Sequence, residues 1–205
     1  MFNEIYNDVK NYLEVHNANS DDRGFTFRKR SDHMWRVFIW VNRLIEDCTE
    51  NINKEALLIA ALFHDMGRYI SHCDHANQSA FLFHDYAVSK NYDVSRTEFI
   101  EYLIRNHDNK ELLLSAETPL ELIYLIESDM LDETGALFIV WMCMSYGFLP
   151  DKTYIDTYKL LLSCKETDLS YNPMKTIKAR KIWEDKQKLI TDFIKQLEYD
   201  LAINE

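Results

Sequence analysis

Apolar residues recur at spacings of three and four along almost the whole chain, which is the period of an amphipathic helix. Phe2, Ile5, Val9, Tyr12 and Leu13 predict a first helix over residues 2–16, and the polar stretch Asn17 to Lys29, with Gly24 in it, predicts a loop. Val37, Phe38, Val41, Leu44 and Ile45 predict a second helix over about 31–48. The third, about 53–65, differs from these: Ala56 to Phe63 is apolar without a break. A helix apolar on all sides belongs at the buried centre of a bundle. Gly67 lies just beyond it, where a left-handed C-cap favours glycine, and residues 66–75 then predict a loop. Helices are expected over about 76–90 and 94–107. Thr118-Pro119-Leu120-Glu121 predicts another start, with Thr118 as N-cap, Pro119 at the first helical position and Glu121 closing a capping box; that helix should run to about 132. Helices over about 134–146 and 151–164 follow, and Asn172-Pro173 is expected to open a last one reaching about 201. No linker or repeat interrupts the pattern. The expected fold class is all-α, one domain over 1–205 with a core over about 30–146 and C-terminal helices, about 151–201, packed on it.

Composition narrows this further. Four Gly and three Pro in 205 residues are too few for the many tight turns of an all-β protein. At 47% hydrophobic and 28% charged residues, the chain has the means to build a core, which excludes disorder. With 34 acidic against 23 basic residues the formal charge is −11, which argues against a nucleic-acid polymer or an anionic membrane as partner. A small anionic substrate stays open, because a local metal or Arg cluster overrides net charge. No run of about 18 apolar residues predicts a membrane span. The first ten residues are polar and acidic, without the basic segment and apolar run of a signal peptide. Cys48, Cys73, Cys143 and Cys164 form no CxxC pair and are expected as reduced thiols, in keeping with a cytoplasmic location.

The candidate chemistry lies among seven histidines: His16, His33, His64, His72, His75, His84 and His107. His64-Asp65 ends the most apolar helix, and polar groups at the edge of a core are costly unless something binds them. A metal would do so, and so would a hydrogen-bonded His–Asp helix cap. His33 begins a helix, His107 follows the run Phe99 to Ile104, and Asp129 follows the apolar run Leu120 to Ile126. If these helix ends converge, imidazole and carboxylate make a cage suited to Mn, Fe, Co, Ni or Zn. His72-Cys73-Asp74-His75 is an alternative zinc cluster, though its spacing is short. Trp35, Trp40, Tyr69, Tyr86, Trp141 and Tyr146 are expected in the core rather than as base-stacking surface. The Trp141 to Met144 run is either core or a contact surface.

His33, then His64-Asp65, then Asp129 resembles the H…HD…D signature of the HD-domain superfamily of metal-dependent phosphohydrolases. Asp32-His33-Met34-Trp35-Arg36-Val37 is similar to the family's first-ligand segment. Ser128-Asp129-Met130-Leu131-Asp132-Glu133-Thr134-Gly135-Ala136 resembles the DADxLDxxGA segment of a bacterial subgroup, departing from it at Glu127 and Ser128. Residues 174–180 and the helix after them resemble that subgroup's C-terminal segment, so the likeness covers about 30–200. It implies an HD-type helical bundle in which His33, His64, Asp65 and Asp129 hold one metal. His75, in a segment similar to HxxxSA, and His107 would join Asp65 on a second, with His72 and His84 as competitors for those places. One or two divalent ions (Mn, Fe, Co, Ni, Zn or Mg) would activate a water for attack on a phosphate ester or anhydride, with a small phosphorylated substrate, a nucleotide by resemblance to the subgroup. Asp65 would also orient the water. Arg68 and Arg36, and after them Lys29 and Arg30, are the candidates to hold the phosphate. Two other functions fit the same residues: a di-iron HD-type oxygenase and a non-catalytic metal- or nucleotide-binding sensor.

Overall fold

The computed structural model describes residues 1–20, 25–168 and 171–203. Gly24, placed in a loop above, lies outside the described residues. Among them the regular structure is helical throughout: α1 Phe2–Val15, α2 Arg30–Ile45, α3 Lys54–Phe63, α4 His75–Ser89, α5 Val94–Asn106, α6 Leu120–Asp132, α7 Ala136–Gly147, α8 Tyr154–Asp168 and α9 Ile177–Asp200. A short 3-10 turn, Lys110–Leu114, precedes α6 and was not expected from the apolar pattern. No described helix is long and apolar enough to cross a membrane. None of the four cysteines is in a disulfide.

The backbone divides into two compact units, Met1–Asp129 and Met130–Glu205, with the boundary in the last turn of α6. In the first, α3 is the centre. Every residue from Ala56 to Phe63 is buried, and α1, α2, α4 and α5 pack around it. Asn53 caps its start, its side-chain oxygen accepting from Ala56 N at 3.0 Å. Amphipathic α1 buries Ile5, Val9 and Leu13. The seam between α1 and α2 is aromatic, with Trp35 stacked on Phe38 at 4.9 Å and Tyr6 4.6 Å from Trp35. Phe63 meets Phe83 of α4 edge-on at 5.1 Å and Tyr86 at 5.0 Å, so Trp35 and Tyr86 pack half-buried against aromatic neighbours, whereas Tyr69, expected in the core, is exposed.

The second unit has its own core of Ile139, Tyr158, Leu161, Ile190 and Ile194 from α7, α8 and α9. Met142 and Cys143 pack partly against it, whereas Met144 is exposed, so the Trp141 to Met144 run is divided between core and surface. Gly135, the N-cap of α7, has φ +76°, a left-handed backbone that favours glycine. Lys186 Nζ donates to the neighbouring Thr134 carbonyl at 3.0 Å.

Three local expectations change. Gly67 is not a left-handed cap: its backbone is not in that region, and glycine is needed there for space. A Cβ on Gly67 would stand 2.4 Å from Ser79 N and 2.5 Å from Gln78 Cβ, because α4 passes directly over this turn. The Glu121 carboxylate accepts from Asn53 N at 2.7 Å, tying the start of α6 to the start of α3, while Thr118 Oγ1 donates to Leu112 O. Finally, α9 starts at Ile177, with Thr176 as the cap, accepting from Ala179 N. Asn172 instead uses its side chain on Met174 N and on Arg180 O, which folds the preceding segment back along the helix.

Candidate metal centre

Helix ends of the first unit bring the polar residues together. His33 lies in the first turn of α2, and Asn19 fixes that end: its backbone oxygen accepts from Arg30 N at 2.9 Å and its side-chain oxygen from Ser31 N at 2.8 Å. α3 stops at Phe63, so that His64 and Asp65 fall on the turn beyond it. Ser79 Oγ accepts from Gly67 N at 2.8 Å and pins this turn to α4. His75 is the first residue of α4, His107 caps the C-terminus of α5, and Asp129 sits in the last turns of α6. His33, His64, Asp65, His75 and His107 are all buried; the Asp129 side chain stays 22% exposed and so marks the open side.

Three imidazoles are oriented by one local device. The Nδ1 atoms of His64, His75 and His107 lie 2.9, 3.1 and 2.7 Å from the carbonyl oxygens of Ala61, His72 and Ile104, each three residues earlier. A carbonyl only accepts, so each Nδ1 carries a proton and each Nε2 is turned to the centre. His33 Nε2 stands 3.2 Å from His64 Nε2 and 3.1 Å from Asp129 Oδ1, and His64 Nε2 lies 3.6 Å from the same oxygen. Asp65 faces two ways. Its Oδ1 is 3.4 Å from His75 Nε2 and 3.7 Å from His107 Nε2, while its Oδ2 is 3.7 Å from His33 Nε2 and 2.5 Å from Arg30 Nη1.

These separations fit a divalent cation. Bonds of about 2.1 Å place neighbouring ligand atoms about 3.0 Å apart in an octahedron and about 3.4 Å apart in a tetrahedron. Three overlapping groups could hold an ion: His33, His64 and Asp65; His64, His107 and Asp129; Asp65, His75 and His107. Nitrogen lone pairs turned on one another in a buried site are costly unless a cation lies among them.

The electrostatics agree with this. Burial alone would raise the Asp65 carboxyl, but His107, His64, Arg30 and His33 hold it well below the usual carboxylate range. Asp129 is likewise held well below that range by His33 and His64, against the effect of burial. Burial pushes His75 down, which keeps it neutral and able to ligate. His107 is pulled up because Asp65 outweighs burial.

Other expected residues lie around this group. Arg68 Nη1 is 3.9 Å from Asp65 Oδ1 and its Nη2 donates to His72 Nε2 at 3.1 Å, which sets it at the rim, 26% exposed. Arg36 is half-buried on α2, three residues after His33. The competitors fall outside. His72 is exposed beside Arg68, and His84 is exposed with Nδ1 2.7 Å from Glu101. The His72 to His75 segment is no cluster: Cys73 is exposed, Asp74 accepts from Asn77 and Gln78, and His75 turns away to Asp65. Arg30, expected only among the phosphate contacts, is the buried partner of Asp65. A basic residue three positions before His33 on one helix face was the available signal.

Solved structures share this architecture. A predicted HD superfamily hydrolase from an uncultured Thermotogales bacterium is 21% identical, with a TM-score of 0.64 over 97% of this chain and 92% of its own. Bacillus subtilis YpgQ in complex with ADP is 20% identical, with a TM-score of 0.66 over 97% and 94%. An HD-superfamily hydrolase from Bacillus thuringiensis is 19% identical, with a TM-score of 0.66 over 98% and 96%. No curated protein is significantly similar to the chain. The HD domain model matches residues 30–134, more than half the chain, running from Arg30 and His33 past Asp129. With the fold of HD-superfamily hydrolases and a His/Asp group able to hold a divalent metal, the chain belongs to the HD domain family.

Proposed function

We propose that this protein is a metal-dependent phosphohydrolase that cleaves a phosphate ester or anhydride of a nucleotide. The observation that carries the reading is the division of Asp65: one carboxylate oxygen faces His75 and His107, the other faces His33. A carboxylate so divided suits two ions, one with His33, His64 and Asp129, the other with His75 and His107. Divalent ions held by these residues would lower the pKa of a water and polarise a phosphoryl oxygen. Mn, Fe, Co, Ni, Zn and Mg all suit such a donor set to differing degrees.

The chain's own side chains do the rest. Asp65, kept ionised by its neighbours, accepts a hydrogen bond from the attacking water and orients it. Arg68 at the rim offers its planar fork to the phosphate oxygens, and Arg36 is the second residue for that task. The ADP held by YpgQ supports a nucleotide as the bearer of the phosphate. The net charge of −11 supports a small substrate over a nucleic-acid polymer, and four cysteines outside disulfides support the cytoplasm.

The test is product release from a panel of nucleotides and simple phosphoesters with Mn²⁺ added, alongside Asp65→Ala. Hydrolysis by the wild type that disappears in the variant is the expected result, and the product names the bond cut. A protein that binds Mn²⁺ yet turns over nothing in the panel overturns the reading. Oxygen uptake by an iron-loaded sample would then mark an oxygenase, and tight nucleotide binding without turnover a sensor.

A further inference from the structure

Among the described residues, Arg30 is the one buried lysine or arginine. Its Nη1 lies 2.5 Å from Asp65 Oδ2, with the two side chains 7% and 6% exposed. The backbone beneath it is held at both Arg30 N and Ser31 N by Asn19, so the guanidinium is delivered to one place. The two oxygens of Asp65 are therefore not equivalent. Oδ1 faces the imidazoles of His75 and His107, and the one guanidinium on its side, Arg68, stands 3.9 Å off on the exposed rim. Oδ2 carries a permanent cation within hydrogen-bond distance and has His33 at 3.7 Å. A guanidinium keeps its charge and has no lone pair to ligate with, and solvent ions do not screen a pair this deep.

We infer that Arg30 sets the divalent-cation affinity of the His33–His64–Asp129 half of the centre, holding it below what those ligands alone would give. It engages the Asp65 oxygen on that side and places a fixed positive charge beside the ion. The same residue supplies the counter-charge of Asp65 when the centre is empty of metal. A carboxylate this buried destabilises the fold if it is left without one. Arg30 thus exchanges metal affinity for a metal-free state that folds. The inference rests on the metal centre proposed above and extends it to the control of its loading.

The experiment is calorimetric titration of the metal-stripped full chain with Mn²⁺ alone, using wild type, Arg30→Gln, Arg30→Lys and His33→Gln, with thermal midpoints taken before metal is added. Arg30→Gln should tighten, by about tenfold or more, the binding event that His33→Gln abolishes, because the repulsion between a buried cation and a divalent ion is removed. It should also lower the metal-free midpoint, and Arg30→Lys, which keeps the charge, should bind like wild type. Arg30→Met reads the same affinity if Arg30→Gln does not fold. Equal or weaker binding by a folded, charge-free variant overturns the inference and leaves the metal centre standing. A wild-type chain that takes up no Mn²⁺ overturns both.

Discussion

Asp129 and Asp65 carry the pH dependence of the first unit. Both are held well below the ordinary carboxylate range, Asp65 by His107, His64, Arg30 and His33, and Asp129 by His33 and His64. When the pH falls, the unfolded chain takes up these protons before the folded chain does. The stabilisation is therefore complete above about pH 5 and is lost on further acidification. His107, raised, adds stability as the pH falls, and His75, lowered, removes it. The urea midpoint of metal-free protein should fall between about pH 5 and pH 3. Asp129→Asn should make that fall shallower, and an unchanged slope in the variant would remove Asp129 from the account.

Where an element must pass close to another, the fold depends on one small residue. α4 runs over the turn that follows α3, with Ser79 Oγ on Gly67 N at 2.8 Å, and this contact sets where His64 and Asp65 stand. A methyl group at Gly67 would meet backbone and Cβ atoms of α4 at 2.4–2.6 Å, not the yielding end of a side chain. Gly67→Ala should therefore cost about 1–3 kcal/mol by overpacking, read as a lower denaturation midpoint. It should also weaken Mn²⁺ binding, since the turn that carries two ligands must move. Wild-type stability in Gly67→Ala would mean that the turn has room. The element ends follow the same logic. Asn19 fixes the start of α2 from outside the helix, and Asn53, itself a cap, is tied to α6 through Glu121.

At the scale of the molecule, each unit holds a core of its own, the first around α3 and the second around Ile139, Leu161 and Ile190. The donor groups of the metal centre belong wholly to the first. Metal bound only by the folded state stabilises it by mass action. Mn²⁺ at a hundred times its dissociation constant should add about 2.7 kcal/mol, or about 5–11 °C in the midpoint for a chain of this size. A chelator should reverse the shift. His64→Ala should abolish it, because that imidazole faces both His33 and Asp129. A midpoint that does not respond to Mn²⁺ would contradict a metal held by these residues.

Much of this was legible in the chain itself. The three-and-four spacing and the unbroken apolar run from Ala56 to Phe63 determined an all-helical fold with α3 at its centre, because burial of apolar surface depends mainly on period and composition. The pairing of His64 with Asp65 at the end of that run, with His33, His75, His107 and Asp129 elsewhere, marked the residues that the helix ends bring together. Tertiary structure alone decided the rest. Gly67 is required by the passage of α4, Glu121 reaches across to Asn53, and Arg30 takes one oxygen of Asp65. Local pattern reports which face of a helix is apolar. The contacts that separate one candidate residue from another join positions 12 to 68 residues apart, and only the packed helices bring those atoms within 4 Å of each other.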